Sequence, residues 1–416
     1  MSSPFSEFTR GWRPLLAAGI GTAAGVTGLS FYGFGVFVLP LVAAFGWTRG
    51  EVSAAASFLI LGSAITSPIV GSVIDRFGAR RVGIASLLAL SAAYAALTTL
   101  QGSLAMFYVS WLLLALLGGG TTPVVWTRTV NLWFDRGRGL ALGLALAGSG
   151  IASMLAPPLL TRVIAHYGWQ TAYLAMGAFL LIVATPLVAL LLDERPADRL
   201  EARERDSTSS RHTSAASALP GVGFAEALRS VTFWKIGIGF FFVSAVVAAL
   251  IINLVPLLID RGLTPMAAAG TAGMMGVAVL IGRVATGYLL DRHSASAIAG
   301  IVLGCCALGC VVLTMPNASG WMLTISVLAL GLAAAAEVDL VAYLSSRFFG
   351  LRAYGKIYGW QLTSFYLGAA GGPLAAGLAF DAFGSYTPML AFAAAALLMG
   401  AVVMATLGKP RFAAIE

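Results

Sequence analysis

The chain has 416 residues, 59% of them hydrophobic and only 10% charged, with a mean hydropathy of +0.90. An ordinary soluble domain carries about 25% charged residues, so a soluble enzyme is excluded. Three cysteines, Cys305, Cys306 and Cys310, crowd one apolar run, and His166, His212 and His293 stand in polar connections or near helix ends, which leaves neither a disulfide framework nor a metal-ligand set.

A helix crossing about 30 Å of hydrocarbon needs about 20 apolar residues. Such runs recur at 14–44, 52–74, 82–101, 104–132, 139–162 and 169–192, and again at 231–259, 266–290, 295–314, 320–346, 355–379 and 386–407. The first is too long for a signal-peptide core and lacks a convincing cleavage site, so it is expected to be retained. Between the two sets the composition turns polar, Ser-rich and mixed in charge, as in DERPADRLEARERDSTSSR, the mark of a solvated linker, with a short helix over Pro196–Arg205. The expectation is an all-α integral membrane protein of 12 transmembrane helices: a six-helix bundle over 1–192, a cytoplasmic linker over 193–230 and a second six-helix bundle over 231–416.

The formal charge of +8 is explained by where the 25 Lys and Arg sit. With both termini inside, only Arg49, Arg162 and Arg261 fall on the outer side and Arg283 deep within a span. That is the positive-inside bias, and no nucleic-acid partner is needed to account for it.

The halves repeat at an offset of 216 residues: Gly71-x-x-x-Asp75-Arg76 maps onto Gly287-x-x-x-Asp291-Arg292, Gly139 onto Gly355, Pro157 onto Pro373 and Gly168 onto Gly384. A parallel repeat of this kind places a binding site between two bundles near the midplane, as alternating access requires. The Gly-rich stretches at 118–120, 148–150 and 368–372 lie inside apolar runs, where small residues let helices pack. No Walker lysine or catalytic Ser-His-Asp grouping accompanies them, so neither an enzyme nor a cofactor is expected.

The motif Gly71-Ser-Val-Ile-Asp75-Arg76-Phe-Gly78-Ala-Arg80-Arg81, after the second run, resembles the loop motif of the major facilitator superfamily, with its echo at Gly287, Asp291 and Arg292. Asp75 near a helix end is suited to pairing with arginines or capping a neighbouring helix. Gly71, Asp75, Arg76, Arg80, Arg81, Arg128, Gly287, Asp291 and Arg292 are therefore the expected inner gate; snorkelling anchors are the alternative for the arginines. Phe-Gly46-Trp47-Thr-Arg49, Trp133-Phe-Asp-Arg-Gly-Arg-Gly139 and Gly282-Arg283-x-x-x-Gly287 are more narrowly similar to the bacterial monocarboxylate and oxalate/formate porters. The resemblance implies that Arg283 binds a substrate carboxylate and that the protein sits in a bacterial-type inner membrane with both termini cytoplasmic.

Physics points to Arg283 as well. A cation deep in an apolar run is costly, by roughly 2.5–3.5 kcal/mol on insertion scales, and must find a partner; its planar fork suits a carboxylate. The alternative is a permanent ion pair with Glu337 or Asp339 in the tenth run. Two residues apart on a helix is about 200°, so these acids face different ways, and one of them is expected to carry a proton. The sequence departs from the animal carriers, which place an aspartate where Val279 stands and a lysine where Tyr32 stands. It also departs from the oxalate exchangers, whose second anchor is a lysine within the eleventh helix, for here Lys356 lies only at that helix's end. Tyr32, Thr121, Thr122, Trp126, Tyr343 and Tyr366 are the remaining lining candidates, since the resemblance implies that the first, fourth, seventh and tenth helices face the cavity.

The expected function is rocker-switch transport of a small organic anion, foremost a monocarboxylate, with or without protons, by a chain sufficient as a monomer in the bilayer. The competing reading is a proton-driven exporter of amphipathic cations that uses Glu337 or Asp339. A sensor without turnover would need a signalling domain larger than the linker.

Overall fold

The computed structural model describes residues 4–134, 138–192, 221–290, 294–350 and 352–407. Among them the chain is helical throughout, with one isolated bridge pairing Gly221 and Gly350. Ten helical stretches are long and apolar enough to cross a membrane. One of these, Leu140–Leu191, has 52 residues, enough for two crossings at about 20 residues each. It breaks at Gly168, whose φ of 83° and ψ of 169° are non-helical. The Tyr354–Phe383 helix is 30 residues long but is not among the ten. Most of the linker expected over 193–230 lies outside the described residues.

Helix ends follow local chemistry. Thr48 starts the Arg49–Phe77 helix with a reciprocal capping box: its hydroxyl accepts from the Glu51 N–H, and its own N–H donates to Glu51 Oε2. Ser230 and Ser294 cap the Val231–Asp260 and Ala295–Thr314 helices through their side chains. The offset of 216 reappears in the backbone: Gly168 and Gly384 both hold positive φ, at 83° and 64°, as do Gly46 and Gly262, at 70° and 92°. A side chain is strained in that region, which accounts for glycine at both members of each pair.

Two helix pairs join the first half of the chain to the second: Arg49–Phe77 along Tyr354–Phe383, and Gly148–Phe179 along Pro265–Leu290. The repeat offset carries one pair roughly onto the other. Both seams are closed by backbone contact at small residues. A Cβ on Gly377 would fall on the Gly50 backbone, and one on Gly276 would fall on the Gly150 carbonyl. In a bilayer, where hydrophobic burial does not drive helix association, this close packing holds helices together. Gly377→Val is expected to wedge the first seam apart and raise, several-fold, the thiol reactivity of a cysteine placed at Ser57, one to two turns deeper; unchanged reactivity would show that the seam tolerates the methyls.

Candidate functional site

The first helical stretch is irregular where it reaches Tyr32. Pro4–Ala24 gives way to a π-helical segment, Val26–Ser30, then one α-turn and a 3₁₀ segment, Phe34–Phe37, before Val38–Phe45. Such interruptions recur at functional sites. Tyr32 lies within electrostatic reach of both Arg283, from the Pro265–Leu290 helix, and Glu337, from the Gly320–Phe349 helix. Arg283 in turn lies within reach of Glu337 and Asp339. One residue from the first half of the chain and three from the second thus converge.

The convergence leaves polar atoms unsatisfied. Among the described residues Arg283 forms no ion pair or hydrogen bond, and its Nε is buried without a partner. Glu337 Oε2 is likewise buried and unpartnered. The permanent ion pair between Arg283 and either acid is therefore not formed, although all three side chains keep partial exposure. An unsatisfied buried charge is expensive, so the arrangement is suited to a ligand that supplies what is missing.

Three lining candidates are held by local contacts. Thr121, Thr122 and Trp126 are buried, and their polar groups are spoken for. Thr121 donates to the Gly118 carbonyl and accepts from Val26 N–H, Thr122 donates to the Gly119 carbonyl, and Trp126 Nε1 donates to the Thr121 carbonyl at 3.0 Å. The reason is local. The fourth run is not one continuous helix but a 3₁₀ turn over Gly118–Thr121 followed by a fresh start at Pro123, and that turn supplies the carbonyls these side chains bond. Trp126 instead fills the space against Gly21 and Gly83. Tyr366 is half-buried beside a small cluster of Ile60, Ala248, Ala369 and Ala370. Tyr343 lies under the Arg347 guanidinium at 5.3 Å. Arg347, not singled out in the sequence, has its own Nε and Nη1 buried without partners.

Of the expected gate, Arg76 and Arg81 are exposed, and Arg76 lies 5.3 Å over the Phe77 ring. Arg80 donates to the Ala189 carbonyl at 2.7 Å, near the end of the Thr185–Leu191 helix, a contact within the first half of the chain. Arg128 is partly buried on the Pro123–Trp133 helix. Gly71 and Asp75 lie on the Arg49–Phe77 helix and Gly287 on Pro265–Leu290, with side chains outside the described set; Asp291 and Arg292 lie outside the described residues.

A polar cluster that sequence reasoning missed joins the two halves at the end away from the linker. Arg49 forms a two-pronged ion pair with Asp260, at 2.6 and 3.0 Å, across 211 residues of chain. Its guanidinium lies 3.9 Å over Phe380 and 5.6 Å over Tyr386. One residue on, the Gly50 N–H donates to Asp381 Oδ2 at 2.9 Å. One turn deeper, buried Asn253 accepts from Ser53 at 3.0 Å and from the Tyr386 hydroxyl at 3.2 Å, and donates to the Ala249 carbonyl. The only sequence signal was that Arg49 and Asp260 both stand at ends of apolar runs on the same side.

Comparison with known proteins agrees with this architecture. The family model described as Major Facilitator Superfamily matches residues 20–373. The chain belongs to the major facilitator superfamily. It is a multi-pass membrane transporter and not an enzyme. It is 30% identical over 405 residues to rat (Rattus norvegicus) Monocarboxylate transporter 13, covering 95% of this chain and 89% of that one. The bovine (Bos taurus) protein of the same name is 29% identical over the same shares. An MFS-type transporter of Escherichia coli (strain K12) is 24% identical over 349 residues, 82% of each chain.

Proposed function

We propose that this superfamily member carries a small organic anion, foremost a monocarboxylate, across a bacterial-type inner membrane by rocker-switch alternating access, with both termini cytoplasmic. The twelve-span layout, with bundles over 1–192 and 231–416, belongs to the same reading, and a single chain suffices for it. The observation that carries it is Arg283: a guanidinium at depth, unpaired by protein, within reach of a tyrosine from the opposite half. Its fork matches two carboxylate oxygens. The likeness to two mammalian proteins named monocarboxylate transporters supports the choice of anion. In the proton-coupled form of the scheme, Glu337 or Asp339 takes up the proton.

A second reading has a specific observation behind it. The unpartnered Glu337 carboxylate suits a cation, as in a proton-driven exporter of amphipathic amines. The two readings separate on the sign of the ligand's charge. A ligand that binds only the folded state raises its stability, so a thermal-stability screen of the purified chain against short monocarboxylates, dicarboxylates, aromatic acids and lipophilic cations decides between them. Stabilisation by acids is the expected result; stabilisation by cations alone would transfer the site to the exporter.

The inner-face motif is assigned to gating. Asp75→Asn is expected to shift the balance between inward- and outward-open forms while leaving substrate binding in place, measured by labelling of single cysteines at the inner face. An unchanged labelling pattern would refute that assignment.

A further inference from the structure

Resting on the carboxylate reading of Arg283, we propose that the substrate is a zwitterion, its carboxylate held by Arg283 and an ammonium group of the same molecule held by Glu337. An arginine and a carboxyl are complementary groups; these two come from neighbouring helices and lie within electrostatic reach of each other. They nevertheless do not pair, and each keeps a buried polar atom without a partner, Nε of Arg283 and Oε2 of Glu337. A pair that needed only itself would close. A site that holds the two apart with both unsatisfied is complementary to a ligand carrying the opposite two charges.

Charge arithmetic narrows the class. A plain carboxylate pairs Arg283 but leaves Glu337 Oε2 without a partner. A lipophilic amine does the converse, matching Glu337 and adding a cation beside Arg283. A zwitterion adds no net charge and supplies a partner to both side chains at once. The anion and cation readings each use half of the site; the zwitterion uses all of it. Tyr32, from the opposite half and within reach of both charges, is placed to hydrogen-bond either end of the ligand. Asp339, about 200° around the helix from Glu337 and also within reach of Arg283, is assigned the proton in this scheme.

The test compares ligands of one skeleton on the full purified chain: 4-methylpentanoate, leucine and isoamylamine, and in parallel 3-phenylpropionate, phenylalanine and phenethylamine. Affinities are read by thermal shift and by competition. The zwitterion of at least one series is expected to bind about tenfold or more tighter than both its des-amino and its decarboxylated relatives. In Glu337→Gln, that advantage over the des-amino acid is expected to fall to about threefold or less. A des-amino acid that binds wild-type chain as tightly as its amino acid in both series would overturn the zwitterion while leaving Arg283 as a carboxylate site. Tightest binding by the amines would overturn both. The wild-type comparison stands whether or not the variant folds.

Discussion

Arg283→Gln is expected to lose saturable binding and uptake of the acid while the protein folds as well as before. Truncating one side of a desolvated, hydrogen-bonded charge pair costs about 2–5 kcal/mol, which is roughly 30-fold to several-thousand-fold in affinity. The effect on the empty protein runs the other way. Arg283 forms no ion pair or hydrogen bond among the described residues, so replacing it removes a costly unpaired cation and breaks neither kind of bond. The melting temperature of the ligand-free chain is therefore expected to hold or rise. Binding by thermal shift and uptake into proteoliposomes check the first part, and the ligand-free melting curve checks the second. Saturable uptake retained in the variant would remove Arg283 from the site. A ligand-free variant that melts several degrees lower would make the guanidinium structural.

Breaking the Arg49–Asp260 pair is expected to favour the form open at the end away from the linker. The pair is bidentate and only partly exposed, with side chains 15% and 33% accessible, and Arg49 also lies against Phe380. A charge-assisted contact of this kind with an aromatic beneath it is worth on the order of 1–2 kcal/mol after solvent screening, or a shift of roughly 5–30-fold between the two forms. In a background with Cys305, Cys306 and Cys310 replaced, a cysteine at Ser57, below the Arg49–Asp260 pair, reports that opening by its rate of reaction with a water-soluble thiol reagent. Arg49→Ala is expected to raise that rate by about 5–30-fold, and the exchange of Arg49→Asp with Asp260→Arg to bring it part of the way back. A rate that neither change moves would show that the Asn253 hydrogen bonds and the Gly50–Gly377 contact close this end without the ion pair.

The sequence by itself determined the membrane character, the apolar runs, the repeat at 216 residues and the cost of Arg283, because each depends on composition or spacing along one helix. A run of about 20 apolar residues has few places to go but a bilayer, and a cation inside it is anomalous wherever its helix points. What only the tertiary structure decided is which side chains meet. Arg49 and Asp260 stand at the ends of different apolar runs, where each passes for an ordinary boundary charge; their pairing depends on how two helices 211 residues apart align. Whether Arg283 closes on Glu337 depends on the rotation of two helices about their axes, which composition leaves free, and the structure keeps them apart. The hydrogen bonds of Thr121, Thr122 and Trp126 likewise depend on the 3₁₀ turn over Gly118–Thr121, a local departure from the helix that the apolar run does not signal.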